Sequence, residues 1–205
     1  MPLSQVAVGV QNNPDSSNPI TARGGKQGDQ LVSELHGRYY EQCYRKNLYF
    51  AASQTVAITT VGLATTYTGL CISNPITSNI NAVLNKCSMM QSVIQATQPE
   101  AYAIATGFNA TTNVTHTTPL AVHANFLNAP VGLVVADTSS TLPTAPFYTF
   151  FGGQTASATT QPGTIIFDLE GSIILPPGGY ACWVTPAQAS VTGLWFSFQW
   201  EEVPV

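Results

Sequence analysis

The stretch GTIIFDLEGSIILPPGGYACWVTPAQASVTGLWFSFQWEEVPV, residues 163–205, decides the fold. Ile165, Phe167 and Leu169 alternate with Ile166, Asp168 and Glu170. An extended chain therefore turns one apolar row to a core and both carboxylates the other way. LPPGGY (175–180) is a turn, because proline presets φ and glycine accepts positive φ. Tyr180, Cys182 and Val184 then share a face, with Trp183 opposite. In the last run Phe196, Phe198 and Trp200 form an apolar row for the core, while Trp195, Ser197, Gln199 and Glu201 point the other way. Glu201 and Glu202 fall on opposite faces and make a poor catalytic pair.

The same texture extends back to Leu48. LYFAASQTVAITTV, TYTGLCIS and AVLNKCSMM are β-branched or aromatic runs closed by Gly, Asn or Pro. Further strand candidates are 101–105, 120–126, 131–136 and 147–151. About eight strands separated by turn residues, with no long helical pattern, indicate an all-β sandwich or barrel. Val32, Leu35, Tyr39 and Cys43 follow helical steps, and Ser33 suits a cap, so a short helix or an irregular strand within 31–47 is open. Residues 1–30, with two Asn-Pro steps and a Gly-Gly, read as an extended arm that cannot fold alone, either a disordered leader or an arm that orders against a neighbour. The organisation expected is an arm, 1–30, and one β domain, 31–205.

Apolar residues are 44% of the 205, but charged residues are only 8%, against about 25% in a typical domain. Such a surface lacks the usual solubilising charge, so much of it is expected to be covered in an oligomer. Five of the six basic residues (Arg23, Lys26, Arg38, Arg45, Lys46) lie within 24 positions, and none follows Lys86. Asp29, Glu34 and Glu41 reduce that window to +2, five minus three. Tyr39, Tyr40 and Tyr44 interleave with the cations. A nucleic-acid binder carries a stronger basic footprint, whereas tyrosine beside arginine suits a protein contact. No apolar run is long enough for a membrane helix. The start, MPLSQVAVGVQNNPDSS, lacks the pattern of a signal peptide and reads as a cytoplasmic one.

Motifs for chemistry are missing. There is no G-x-S-x-G and no catalytic-cysteine signature. His116 and His123 lack a third ligand at metal spacing, and no Asp-rich calcium loop occurs. Asp168 with Glu170 has the spacing of a glycosidase pair, but the two read as solvent-facing strand residues. ARGGKQGDQ lacks the frame of a phosphate loop. Asn109-Ala-Thr and Asn113-Val-Thr have the form of glycosylation acceptors in a Thr/Asn-rich loop. The four cysteines, widely spaced and without C-x-x-C, read as small buried hydrophobes. No catalytic, metal or cofactor site is expected. Trp183 and Trp195 stand out as exposed-aromatic candidates for an interface or a glycan.

The succession GDQLVSELHGRYYEQCYRKNLYF, TGLCISNPITSNINAVLNKCSMM, HANFLNAPVGL, LEGSIILPPGGYACWVTPAQ and FSFQWEEVPV resembles capsid decoration (cement) proteins of tailed bacteriophages. The resemblance spans residues 28–205, and its most specific parts are the turn at Asn74–Ser78, PPGG at 176–179 and the WEEVP ending. It implies a β-sandwich or jelly roll, usually a homotrimer, made in the host cytoplasm and seated on the capsid surface over junctions of the major capsid protein. The arm would reach between capsid subunits. Arg23, Lys26, Arg38, Tyr39, Tyr40, Arg45 and Lys46 would meet that partner. No catalytic or ligand residue is carried over by the resemblance. Other readings of the same fold are a glycan- or receptor-binding spike head, a virion-associated hydrolase and a single jelly-roll capsid protein.

Overall fold

The computed structural model describes residues 38–55, 63–91, 101–154, 164–185 and 193–205. The expected arm and the 31–37 part of the ambiguous segment lie outside them. Helix α1 (Tyr40–Tyr44) is followed by strands β1 (Leu48–Ala52), β2 (Thr66–Ser73), β3 (Ile80–Gln91) and β4 (Ala101–Phe108). Three two-residue strands come next, β5 (Thr115–His116), β6 (Pro119–Leu120) and β7 (His123–Ala124). The long strands β8 (Val135–Thr141), β9 (Phe147–Gln154), β10 (Thr164–Leu175), β11 (Gly179–Val184) and β12 (Leu194–Pro204) complete the chain.

The strands form two antiparallel sheets, one in the order β10-β3-β12-β1-β7 and the other β5-β8-β2-β11-β4-β9, with β6 also on β8. Within them the pairings are nested: β4 with β9, β3 with β10, β2 with β11 and β1 with β12. A long antiparallel hairpin rolled up so that alternate pairs fall in opposite sheets has this pattern. It is the jelly roll, a sandwich of the kind the turn spacing indicated.

Between the sheets lies one apolar core. Leu84, Cys87, Met89, Phe196, Phe198 and Trp200 enter from the first sheet; Leu70, Ile72, Tyr102, Ile104, Ala181 and Trp183 enter from the second. Alternation places β10 and β12 as expected. Leu169 is buried, Ile165 and Phe167 pack on the core, and Asp168 and Glu170 face outward. In β3 the period slips at Asn85, which is passed over between Lys86 and Leu84 in the pairing with β12, so Leu84 and Asn85 are both buried. The slip re-phases β3 against β12, a bulge that no period-two count on β12 alone reveals.

Two expectations differ in detail. Strands over 120–126 and 131–136 shrink to two-residue bridges and a strand starting at Val135; Pro119 and Pro130 lack the N–H a ladder needs. The helix within 31–47 is a single turn, Tyr40–Tyr44, closed by Lys46 at φ 65°, whose N–H donates to Cys43 O. The Tyr180, Cys182 and Val184 face is buried as well. It joins Tyr67, Cys71, Ala103, Ala105, Val114 and Leu142 in a second cluster on the outer side of the second sheet.

The NP turn and the PPGG turn meet. Asn74 is buried where β2 leaves the second sheet, and its Nδ2 donates to Ile80 O of β3 (2.7 Å) and Leu175 O of β10 (2.9 Å). Its backbone N–H donates to Gly179 O, and Gly178 N–H donates back to Asn74 O. Gly178 has φ 88°, and a Cβ there would meet Asn109 O at 2.2 Å, so only glycine fits. Asn74→Ala leaves two carbonyls without their donor and is expected to destabilise by about 2–4 kcal/mol, measured by denaturant unfolding.

Candidate functional site

Trp183 is fully buried, contrary to the expectation of an exposed aromatic. Its ring stacks on Phe196 at 5.3 Å and meets Phe198, Tyr102 and Phe167 at 6.0, 6.0 and 6.2 Å. The physical reason is its strand. β11 runs between β2 and β4 with apolar clusters on both sides, so the face opposite Tyr180 is the inter-sheet core. Trp195 is different: it is half-buried on the outer side of the first sheet, in register with Met90.

That outer side is built from three rows across the strands. Thr164, Met90 and Trp195 form one; Ile166, Ser88, Ser197 and Ala52 the next; Asp168, Lys86, Gln199 and Phe50 the third. Ser88 and Ser197 share a hydrogen bond of 2.6 Å at the centre. On this side Ile166 is 66% exposed and Met90 42%, and further along β10 Ile174 is 53% exposed. A shallow depression of about 230 Å³ lies over Ser88, Ser197, Ile166 and Phe50. Asp168 and Lys86, opposite charges in register, balance each other on this face.

Phe50 also lines a second depression of about 300 Å³, walled by Val122, His123, Phe126, Leu127 and Val131. The Phe50 and His123 rings are 5.5 Å apart, and Lys46 Nζ sits 5.4 Å from the Phe126 ring. Leu127 and Val131 are the most exposed apolar side chains of this rim. Arg45 bonds Glu41 at 2.8 Å and lies near Glu201. Burial raises the Glu201 carboxyl above its ordinary range, and the Arg45 charge partly offsets that rise. Arg38 lies over the Tyr39 ring at 5.5 Å, and Tyr40 is exposed on α1. Of the expected contact residues, the structure therefore brings Arg45 and Lys46 to the rim of the β body. Arg23 and Lys26 lie outside the described residues.

Two buried carboxylates escaped sequence reasoning. Glu202 accepts the N–H groups of Leu133 (2.9 and 3.0 Å, one to each oxygen) and Val134 (3.0 Å), and the Trp200 indole N–H at 3.3 Å. It thereby ties the exposed 126–133 rim to β12. Its parity with Trp200 was the available signal, since the same face as a core tryptophan is an inward one.

The second is Asp137. It accepts from the backbone N–H groups of Thr117 (2.8 Å), Thr118 (3.0 Å) and Ser139 (2.7 Å). His116 Nδ1 lies 3.2 Å from its Oδ2, and His116 Nε2 lies 3.0 Å from Ser73 Oγ. This is the contact order of a serine–histidine–aspartate relay. Ser73, however, is buried and paired on both sides, with Tyr180 of β11 and Val135 of β8. Neither depression reaches it. The arrangement clasps the 115–120 segment onto the sheet, a structural task.

Asn109 and Asn113 are likewise occupied. Asn109 Oδ1 accepts from Thr111 and Thr112 N–H, and Asn113 Oδ1 from Ile76 N–H. Among the described residues, no three His, Cys, Asp or Glu side chains gather as a metal would require. Comparison with family models, with curated proteins and with solved structures found no match.

The two tryptophans give a direct check of core against surface. Trp183→Ala is expected to cost about 3–5 kcal/mol in unfolding free energy. Trp195→Ala, on a half-exposed face, is expected to cost less than about 1.5 kcal/mol.

Proposed function

We propose that this chain is a structural virion protein that associates with copies of itself and cements neighbouring subunits on the outer surface of a phage capsid. One observation carries the self-association. Both sheets bear apolar side chains on their outer sides, but among the described residues only the second has that side covered, through Val114, Leu142 and Tyr148. The first presents Met90, Ile166, Ile174 and the half-buried Trp195. An apolar sheet face of this kind, with Asp168 and Lys86 in register, is suited to a subunit contact, and a chain with 8% charge has little else to keep it apart from its copies. The homotrimer and the capsid partner rest on the sequence resemblance. The arm, Arg23, Lys26 and the Arg38–Lys46 group are assigned to the major capsid protein. Three arms on one trimer would bind multivalently, each raising the effective concentration of the next. No chemical step, cofactor or nucleic acid enters this reading.

A second reading has one observation in its favour, the Ser73–His116–Asp137 contact order. If it were a hydrolase, a fluorophosphonate probe would label the folded protein and Ser73→Ala would abolish labelling. We expect no labelling, because Ser73 is buried. A glycan-binding head would now depend on Trp195, since Trp183 belongs to the core.

Light scattering on purified protein tests self-association. The wild type should be oligomeric at micromolar concentration, and Ile166→Lys with Met90→Lys should shift it to monomer without loss of the fold by circular dichroism. A monomeric wild type would sink the assignment of this face. For the capsid role, deletion of residues 1–30 should abolish binding to purified capsids; undiminished occupancy would exclude the arm as anchor.

A further inference from the structure

Cys71 and Cys182 lie side by side on β2 and β11. They are directly opposed in the antiparallel register, with Sγ atoms 3.3 Å apart, and neither has any exposed surface. Directly opposed residues of an antiparallel pair have Cα atoms about 4.5 or 5.5 Å apart, depending on the hydrogen-bonding position. Both separations fall within the range of about 4.4–6.8 Å that a disulfide spans. Being opposite one another, the two side chains also leave the sheet on the same face, among Tyr67, Tyr180 and Val184. The remaining requirement is a small rotation about each Cα–Cβ bond, bringing the sulfurs to the bond length of about 2.05 Å.

We propose that Cys71 and Cys182 are a disulfide-forming pair, which closes into a cross-strand bond between β2 and β11 when the chain folds or opens in an oxidising medium. The oxidant class is a low-molecular-weight disulfide such as oxidised glutathione. One cysteine thiolate attacks a glutathione sulfur, a protein–glutathione mixed disulfide forms, and one glutathione thiolate leaves. The second cysteine thiolate then attacks the protein sulfur and expels the other glutathione. Two cysteine thiols lose two electrons and two protons, and the glutathione disulfide becomes two thiols.

Access sets the timing. Both sulfurs are sealed in the folded sheet, and burial suppresses ionisation of the Cys182 thiol, so exchange belongs to the open chain. In a reducing cytoplasm the same two thiols remain packed hydrophobes. The other two cysteines are not placed for this reaction. Cys87 lies on β3 in the other sheet, facing the inter-sheet core, with its thiol pushed up to about 12 by burial. Cys43 is on α1, partly exposed. The bond would join residues 111 apart in sequence, and long loops are the ones whose closure restrains the unfolded chain most. The inference is independent of the capsid reading, since it rests on the register of two strands.

The test is refolding of the full chain in a glutathione redox buffer, followed by intact mass and peptic mapping. The expected product is lighter by two hydrogens, with a peptide linking Cys71 to Cys182 and with Cys43 and Cys87 still open to alkylation in denaturant. Its thermal midpoint should rise by about 5–15 °C over the reduced form. The double variant Cys71→Ala/Cys182→Ala should show no difference between oxidising and reducing conditions. Four alkylatable thiols after oxidative refolding, or a bond involving Cys43 or Cys87, would overturn the proposal.

Discussion

The hydrogen bonds of Asn74 hold the roll together at its corner. Two chain crossings occur there: β2 leaves the second sheet for β3 in the first, and β10 leaves the first for β11 in the second. One buried amide donates to Ile80 O and Leu175 O, while its own backbone exchanges bonds with Gly178 and Gly179. A jelly roll needs its sheets at a fixed separation for the two inner faces to interdigitate. A clamp of buried donors and acceptors, strong in a low-dielectric setting, sets that separation at this end. The stacking of Trp183 on Phe196 across the core depends on the spacing being held.

Polar groups buried elsewhere follow the same logic. Glu202 and Asp137 are placed where short chain segments without strand partners need their N–H groups satisfied. Each carboxylate gathers several donors, which compensates for its removal from water. They are the reason that the irregular 115–134 region, short of ladder bonds and rich in proline and small residues, has a defined path. The apolar rim at Phe126, Leu127 and Val131 stands on that foundation. The serine–histidine–aspartate contact belongs to the same set, since its aspartate is committed to backbone donors and its serine is shut inside the sheet.

The two outer sides of the sandwich then differ in how they are finished. On the second sheet, Tyr180 lies across Gly107, where a Cβ would meet the ring at about 2.2 Å, and its hydroxyl donates to Thr144 O at 2.6 Å. That side is closed by the chain itself. On the first sheet a central serine pair is ringed by isoleucine, methionine and tryptophan, with one lysine and one aspartate in register. The surface continues through Phe50 to the rim beside Lys46. Such a face fits the self-association proposed above, in a protein with few charges on which to rely for solubility.

By itself the sequence determined the class of fold and most side-chain facing. Period-two alternation needs only a local count, so the inward rows of β10 and β12, the outward Asp168 and Glu170, and the two decisive turns were all legible. Tertiary structure decided whatever depends on what covers a face. Alternation placed Trp183 opposite Tyr180 correctly, but only the arrangement of β11 between β2 and β4 shows that both faces are interior. The same holds for Glu202, whose inward parity was readable but whose partners, Leu133 and Val134, come from 69 and 68 residues away. The Asn74 clamp joins residues 101 apart, and the Cys71–Cys182 contact spans 111. Local periodicity carries no record of such pairings, because they are set by which strands the roll makes neighbours.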